Sequence, residues 1–331
     1  MAISRPRFLT AAGAAAAAAG LPTTAFAQDA PIPRRQLGRT GVMVSLVALG
    51  GAHIGQATLS DADAIALIHA AIDRGITFMD TSWDYSDGRS EMRMGRALAQ
   101  GGYRDRAFLM TKVDGRDAKT ATRQLDESLR RLRTNHVDLW QFHENIRPDD
   151  ADRIFAPGGG IEAALAALRA GKVRFIGFTG HKDPRYHVHM FDVAAQHKFI
   201  FDTVQMPINV MDAHFRSFQT TVIPVAQITN TAILAMKTFG DHFILDAGLV
   251  DPVTMLHYSM NQPVSTVVTG IDSPHVLAQA VTAATTFRPL SRDEVEAILA
   301  KTASAASNGS TELYKTSDRF DATMHHPEYL G

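Results

Sequence analysis

Residues 107–143 hold an apolar run, Ala107-Phe-Leu-Met-Thr-Lys112, a helical pattern, Thr120-Ala-Thr-Arg-Gln-Leu-Asp-Glu-Ser-Leu-Arg-Arg-Leu132, and a second apolar run, Val137-Asp-Leu-Trp-Gln-Phe-His143. Both runs are short and largely continuous, as strands buried on both faces should be. Between them, Leu125, Leu129 and Leu132 fall on one helical stripe. Arg130, Arg131 and Arg133 load its C-terminal end, where the helix dipole favours cations. The same alternation continues outward in both directions. The remaining strand candidates are Val44–Leu49, Ile76–Asp80, Val173–Thr179, Thr203–Gln205, Ala232–Lys237 and Ser265–Gly270. Asp61–Arg74 is a helical pattern with Ala62, Ile65, Ile68 and Ile72 near one face and Gly75 as its stop, and Ile161–Ala170 is another, ending at Gly171.

Eight strands alternating with helices predict an α/β chain folded as a closed (β/α)8 TIM barrel rather than an open doubly wound sheet. No G-x-G-x-x-G follows the first strand, so a Rossmann module has no fingerprint here. Ahead of that strand, Leu37-Gly38-Arg39-Thr40-Gly41 reads as a hairpin that plugs the barrel floor. An additional helix is expected over Ser291–Ala306 and a polar, aromatic-bearing tail over Thr311–Gly331. The predicted organisation is therefore a barrel over 34–306 and a tail over 307–331.

Composition narrows the function class. The 331 residues include 45% hydrophobic and 20% charged side chains and carry a formal net charge of −1, which excludes a disordered chain and gives no basic field for nucleic acid or anionic lipid. The absence of cysteine removes Cys-ligated zinc, iron–sulfur clusters and thiol catalysis, and it fits an oxidising compartment.

Met1–Asp29 reads as a targeting segment. Arg5 and Arg7 make a cationic start, Leu9 to Leu21 is mostly Ala, and Ala25-Phe26-Ala27 is a small-x-small cleavage signal, so residues 1–27 are expected to be an export signal peptide removed before Gln28. Gly13, Gly20 and Pro22 break the run too often for a stable membrane anchor. Ser4-Arg5-Pro6-Arg7-Phe8-Leu9 is similar to a twin-arginine export signal, although Pro6 splits the arginine pair. The expected location is periplasmic or otherwise exported; the alternative is an uncleaved Ala-rich extension on a cytoplasmic protein.

Chemistry in such a barrel sits at the C-terminal ends of the strands. Those ends present Asp80, then Tyr85 in the loop behind it, Lys112 and His143. Charged groups leaving apolar runs are costly unless they satisfy one another. Asp80 can hold Lys112 charged; Lys112 can lower the pKa of Tyr85; His143 can orient a carbonyl oxygen that Tyr85 protonates. That is a general-acid device for a reaction placing negative charge on a carbonyl oxygen, with hydride addition as the obvious case.

On these residues the chain resembles the aldo-keto reductase family. The resemblance runs from about Arg35 to Leu299 through the Leu37–Ser45 hairpin, Phe78-Met79-Asp80-Thr81, Gly88-Arg89-Ser90-Glu91 with Gly95, Thr111-Lys112, Val137-Asp138-Leu139, and Gly171-Lys172-Val173-Arg174-Phe175-Ile176-Gly177. It implies reversible, NADP- or NAD-dependent reduction of a small aldehyde or ketone to an alcohol. The family tetrad falls on Asp80, Tyr85, Lys112 and His143.

The resemblance also implies a cofactor trench across the barrel mouth. Asp80, Thr179, Gly180 and Gln205 fall on its nicotinamide side, although Gly180 stands where the family places an Asn amide. Met236, Lys237 and Gly240 follow the seventh strand, where the ring is supported and the pyrophosphate covered, and Gly50 and Gly51 would let the ribose approach. After the eighth strand, Gly270 and Val276 replace the Lys and Arg that grip a 2′-phosphate, Ala280 replaces an Asn, and Ser273 remains. His53 and Trp83 are expected in the substrate pocket.

Other motifs read blandly. His181, His187 and His189 lack metal-ligand spacing, and no metal is expected. Gly158-Gly159-Gly160 lacks the Lys-Ser/Thr of a phosphate loop. The rival from another class is a dinucleotide-binding regulatory or partner-binding barrel with little turnover.

Overall fold

The computed structural model describes residues 30–331, and the export segment expected over residues 1–27 lies outside them. Two short antiparallel strands, β1 (Arg34–Gln36) and β2 (Met43–Ser45), precede eight parallel ones. These are β3 (Val47–Gly50), β4 (Phe78–Asp80), β5 (Phe108–Val113), β6 (Val137–Phe142), β7 (Val173–Thr179), β8 (Thr203–Pro207), β9 (Ala232–Met236) and β10 (Thr266–Gly270). Each pairs with its successor, and β10 closes on β3 with Gly270 opposite Gly50. The barrel, its N-terminal hairpin and its extra C-terminal helix match the expected architecture.

One expected strand is two. Val44–Leu49 divides at Leu46, whose N–H donates to the Pro33 carbonyl at 2.8 Å. The Ser45 hydroxyl donates to the Val47 carbonyl at 2.8 Å and accepts the N–H groups of Thr77 and Phe78 at 3.1 and 3.3 Å. A side chain thus takes the place of a ladder residue, and the chain turns from the floor hairpin into the barrel wall. Leu37 and Val44 of that hairpin pack with Phe78, Phe108, Leu139 and Leu234 inside the barrel. Burying each such side chain contributes about 1.5–3 kcal/mol, so the floor is sealed by hydrophobic contact.

The outer helices begin at identifiable caps. The Ser60 hydroxyl accepts the Asp63 N–H, and the helix Asp61–Asp73 buries Ala64, Leu67, Ile68, Ala71 and Ile72 at three- and four-residue spacing. Ala62 and Ile65, expected on that face, are exposed and half-buried, because the Ala-rich segment carries two overlapping apolar stripes and the barrel selects the one with Leu67. Asp117 caps Ala118–Leu132, which buries Leu125, Leu129 and Leu132 as its stripe predicts. Arg292–Ala306 starts with a Ser291/Glu294 capping box. Among the described residues no helix is long and apolar enough to cross a membrane.

The C-terminal segment returns over the barrel mouth. Arg116 N–H donates to the Leu330 carbonyl at 2.8 Å and the Gln124 amide to the Tyr329 carbonyl at 2.9 Å. Glu144 accepts the backbone N–H groups of Ala322 and Thr323 at 2.9 and 2.8 Å. Asp321 takes His181 at 2.9 Å and Lys182 at 2.5 Å. The polar tail is thus held mainly through its backbone, with Asp321 as the side chain that pairs with His181 and Lys182.

Candidate active site

Strand register brings the predicted tetrad together. Asp80, the last residue of β4, lies opposite Gly50 of β3 and Met110 of β5. Lys112 in β5 lies opposite Gln141 of β6, and His143 follows β6 directly. Lys112 Nζ donates to Asp80 Oδ1, to the Thr81 carbonyl at 2.7 Å and to the Tyr85 hydroxyl at 3.1 Å. All three ammonium protons are therefore assigned. Lys112 and Asp80 are almost wholly buried, at 1% and 3% exposure, so the pair exists only because each satisfies the other. The Tyr85 and His143 rings meet edge to face with centroids 5.6 Å apart.

The structure corrects one expectation about Tyr85. Its pKa is raised well above the usual phenol value, first by burial and then by the negative charges of Asp80, Asp84, Glu144 and Asp114. Lys112 alone would lower it, but burial and four acidic side chains together outweigh one ammonium. Tyr85 is thus a phenol whose oxygen accepts from Lys112, which leaves its own O–H proton available to donate.

On the cofactor side, Thr179 ends β7 opposite Gln205 of β8. The Gln205 amide N–H reaches Asp80 Oδ2 at 3.5 Å, while its Oε1 is buried with no hydrogen-bond partner among the described residues. An orphaned acceptor there fits a carboxamide NH2. Met236 ends β9 with its sulfur 4.0 Å from the Thr179 hydroxyl. Lys237 follows in the left-handed region (φ +57), its Nζ 4.6 Å from the Phe320 ring centre; burial lowers its pKa to about 8. Gly240 (φ +59) lies against Ile244 and the Thr311 carbonyl.

Gly180 has a steric reason to be glycine. A Cβ there would collide with the Asn145 carbonyl and the His187 ring, so the family amide has no room in this backbone. Gly270 similarly lies under the His53 ring. Gly50 and Gly51 are packed against the Thr269 carbonyl and the Ser90 hydroxyl, so protein neighbours already require their small size. Ser273 caps the helix Pro274–Thr286 by accepting the Val276 N–H at 3.3 Å. Ala280 is buried in that helix, and Asp272 and His275 are exposed.

A cavity of about 330 Å³ opens between these elements, lined by Tyr85, His143, Thr179, Met236 and Lys237 and, from the C-terminal segment, Arg319 and Phe320. Neither expected wall residue is part of this lining. His53 sits above Gly270 with Nε2 4.0 Å from Asp241. Trp83 donates its indole N–H to Glu127 at 2.7 Å, lies against Tyr329 edge to face, and has the Arg123 and Arg131 guanidinium groups 5.7 and 5.6 Å from its ring centre. Those partners turn the indole toward the outer helix.

Sequence reasoning missed five residues around the tetrad: Asp84, Asp114, Glu144, Asn145 and Phe320. The first four carried a signal, since each lies within two positions of Tyr85, Lys112 or His143. Asp84, His143 and Glu144 could offer ligand atoms within 4.8 Å of one another. Their oxygens are engaged, however: Glu144 holds the C-terminal segment, and Asp84 accepts from Ser82 at 2.5 Å.

A parallel barrel with Asp, Tyr, Lys and His converging at its C-terminal mouth defines the class of protein. The chain belongs to the aldo/keto reductase family, whose model matches residues 46–252. It is 34% identical over 167 residues to the 6-dehydroglucose reductase of Novosphingobium aromaticivorans, covering 46% of this chain and 53% of that protein. It is 32% identical over 158 residues to the L-galactose dehydrogenase of Arabidopsis thaliana, covering 45% and 49% respectively. These matches span about half the length of each relative. The fold superposes on the holo form of aldo-keto reductase AKR11C1 from Bacillus halodurans with a TM-score of 0.67 at 20% identity, covering 82% of this chain and 96% of that one.

Proposed function

We propose that this chain is a nicotinamide-dependent oxidoreductase that reduces a small aldehyde or ketone to an alcohol, reversibly, with Tyr85 as general acid. The observation that carries this reading is the Lys112 ammonium joining Asp80 to the Tyr85 hydroxyl at the wall of a cavity that His143 shares. A reduced nicotinamide, when bound, supplies the hydride to the carbonyl carbon. The carbonyl π pair then moves to oxygen, which takes the Tyr85 proton; the phenolate, stabilised by Lys112, recovers a proton from solvent. Gln205 and Thr179 would hold the carboxamide, and Met236 would support the ring. In the reverse direction Tyr85 would be the base.

The cofactor preference follows from the missing cations. A charge-assisted hydrogen bond contributes about 1.5–3 kcal/mol, and the positions of both 2′-phosphate grips hold Gly270 and Val276, with Asp272 nearby to repel a phosphate. Fluorescence quenching is expected to give NADH and NADPH affinities within about tenfold of each other. An NADPH preference of about a hundredfold would overturn this. The same two cofactors, followed at 340 nm against a panel of aldehydes and ketones, test the activity. Cofactor binding with no carbonyl-dependent oxidation would favour the regulatory barrel, the second reading, which Gly180 supports because it removes one carboxamide contact.

We further propose that the protein is exported. The supporting pattern is Arg5 and Arg7, the Ala-rich run and Ala25-Phe26-Ala27. Protein purified from its native cell envelope is expected to begin at or near Gln28. A cytoplasmic enzyme retaining Met1 or Ala2 would refute it.

A further inference from the structure

The His143 ring is bound on one side by two carboxylates. Its Nδ1 lies 3.0 Å from Asp114 Oδ1 and 3.3 Å from Asp84 Oδ1. The Asp114 side chain is fully buried, and its second oxygen has no hydrogen-bond partner. Arg116, the nearest guanidinium in sequence, directs its nitrogens to Asp150 and to the carbonyls of Asp114, His143 and Glu144. Among the described residues, His143 is therefore the only side-chain hydrogen-bond donor to the Asp114 carboxylate. The imidazole Nε2 makes no hydrogen bond to a described residue, and His143 lines the cavity.

We propose that Asp84 and Asp114 are positioning residues that clamp His143 as an imidazolium, fixing Nδ1–H toward the protein so that Nε2–H stays a donor to the substrate oxygen throughout the working pH range. Two buried carboxylates facing a neutral ring would leave negative charge uncompensated, and a proton on the ring removes that cost. Burial by itself lowers the His143 pKa, but the charges and hydrogen bonds of Asp84 and Asp114 reverse this and raise it to about 10. Asp84 stays below the usual carboxylate range: burial opposes this, and His143, Ser82 and Lys112 outweigh it. Asp114 is raised by burial and by Asp84, consistent with two acids competing for one cation.

The other charged or titratable groups facing the ring are Tyr85 from the turn after β4, Lys112 and Arg116 from β5 and its loop, and Glu144 beside it. Across the cavity stand His181, Lys237, Arg319 and His325. Among the described residues, Asp84 and Asp114 are the charged groups in contact with Nδ1, and the Ser82 hydroxyl lies 3.3 Å from the same atom. The inference rests on the carbonyl-reduction reading for the role of Nε2, while the clamp itself is measurable without turnover.

The test uses the full chain labelled with nitrogen-15. His143 ring signals are identified by their loss in His143→Gln, and both ring nitrogens are followed against pH. In the wild type both are expected to stay protonated to about pH 9, well above the ordinary histidine midpoint of about 6.5. Asp84→Asn and Asp114→Asn should each lower that midpoint by about one unit or more, and Asp114→Glu should restore it. The alkaline limb of kcat for carbonyl reduction should move down with the midpoint, while reduced-cofactor affinity stays constant. Should the fully buried Asp114→Asn variant fail to fold, Asp84→Asn carries the same comparison. A His143 midpoint near 6.5 in the wild type, or one unmoved by the Asn variants, would overturn the clamp. A charged His143 that responds to both variants in a protein reducing no carbonyl would uphold the clamp and defeat the reduction reading.

Discussion

Tyr85→Phe is expected to lower kcat for carbonyl reduction by about 10²- to 10⁴-fold, the usual contribution of a positioned general acid. The substitution removes one hydroxyl and leaves the ring edge-on to His143, with centroids 5.6 Å apart in the native protein. Lys112 loses one acceptor but keeps Asp80 and the Thr81 carbonyl, so stability should change by only about 1 kcal/mol. Reduced-cofactor affinity should be nearly unchanged, because Thr179 and Gln205, the residues proposed to hold the carboxamide, are untouched. Steady-state rates and fluorescence titration of the same preparation separate the two effects. Near-wild-type turnover would remove Tyr85 from the acid role and pass it to another donor lining the cavity, of which His143 stands beside the tyrosine ring.

Lys112→Met should be severe in two measurements at once. It leaves the Asp80 carboxylate, 3% exposed, with no cation in hydrogen-bond contact among the described residues and only the Gln205 amide there, at 3.5 Å. Removing one partner of a buried pair typically costs about 3–5 kcal/mol, since the remaining charge has neither solvent nor counter-ion. Urea denaturation should show that loss. Activity should fall further than stability explains, because the phenolate left after proton donation has no ammonium beside it and four carboxyl groups around it. Adding Asp80→Asn to Lys112→Met should recover much of the stability by removing the stranded charge, and none of the activity. Recovery of both would mean that the pair serves folding alone.

These two substitutions separate what kinds of information the chain carries. Local pattern was enough for the barrel: short, largely apolar runs such as Val137–Phe142 suit strands buried on both faces, and Leu125, Leu129 and Leu132 suit a helix packed on one face. Where local pattern was degenerate, reading it failed. Asp61–Asp73 has alanine or isoleucine on several sides, so its buried stripe depended on which residues the barrel wall could accept. Val44–Leu49 looked like one strand because five of its six residues are apolar, and the break arises from the Ser45 hydroxyl, which bonds to groups 2 to 33 positions away.

The site divides in the same way. Sequence by itself determined that Asp80, Tyr85, Lys112 and His143 stand at or just beyond strand C-termini, since parallel strands of known direction place their ends on one face of a barrel whatever the loops do. Tertiary structure alone decided the electrostatic balance around them, because charges sum over distance and not over sequence. The ammonium of Lys112 would have lowered the Tyr85 pKa as a lone neighbour; burial first, and then Asp80, Asp84, Glu144 and Asp114, gathered from the ends of three strands and their following loops, raise it instead. The same convergence sets two carboxylates on one His143 nitrogen and brings Phe320, 235 positions beyond Tyr85, to the wall of the same cavity. Hydrogen bonds accepted by Glu144, with ion pairs to His181 and Lys182, hold that segment in place, and those partners meet only once the barrel has closed.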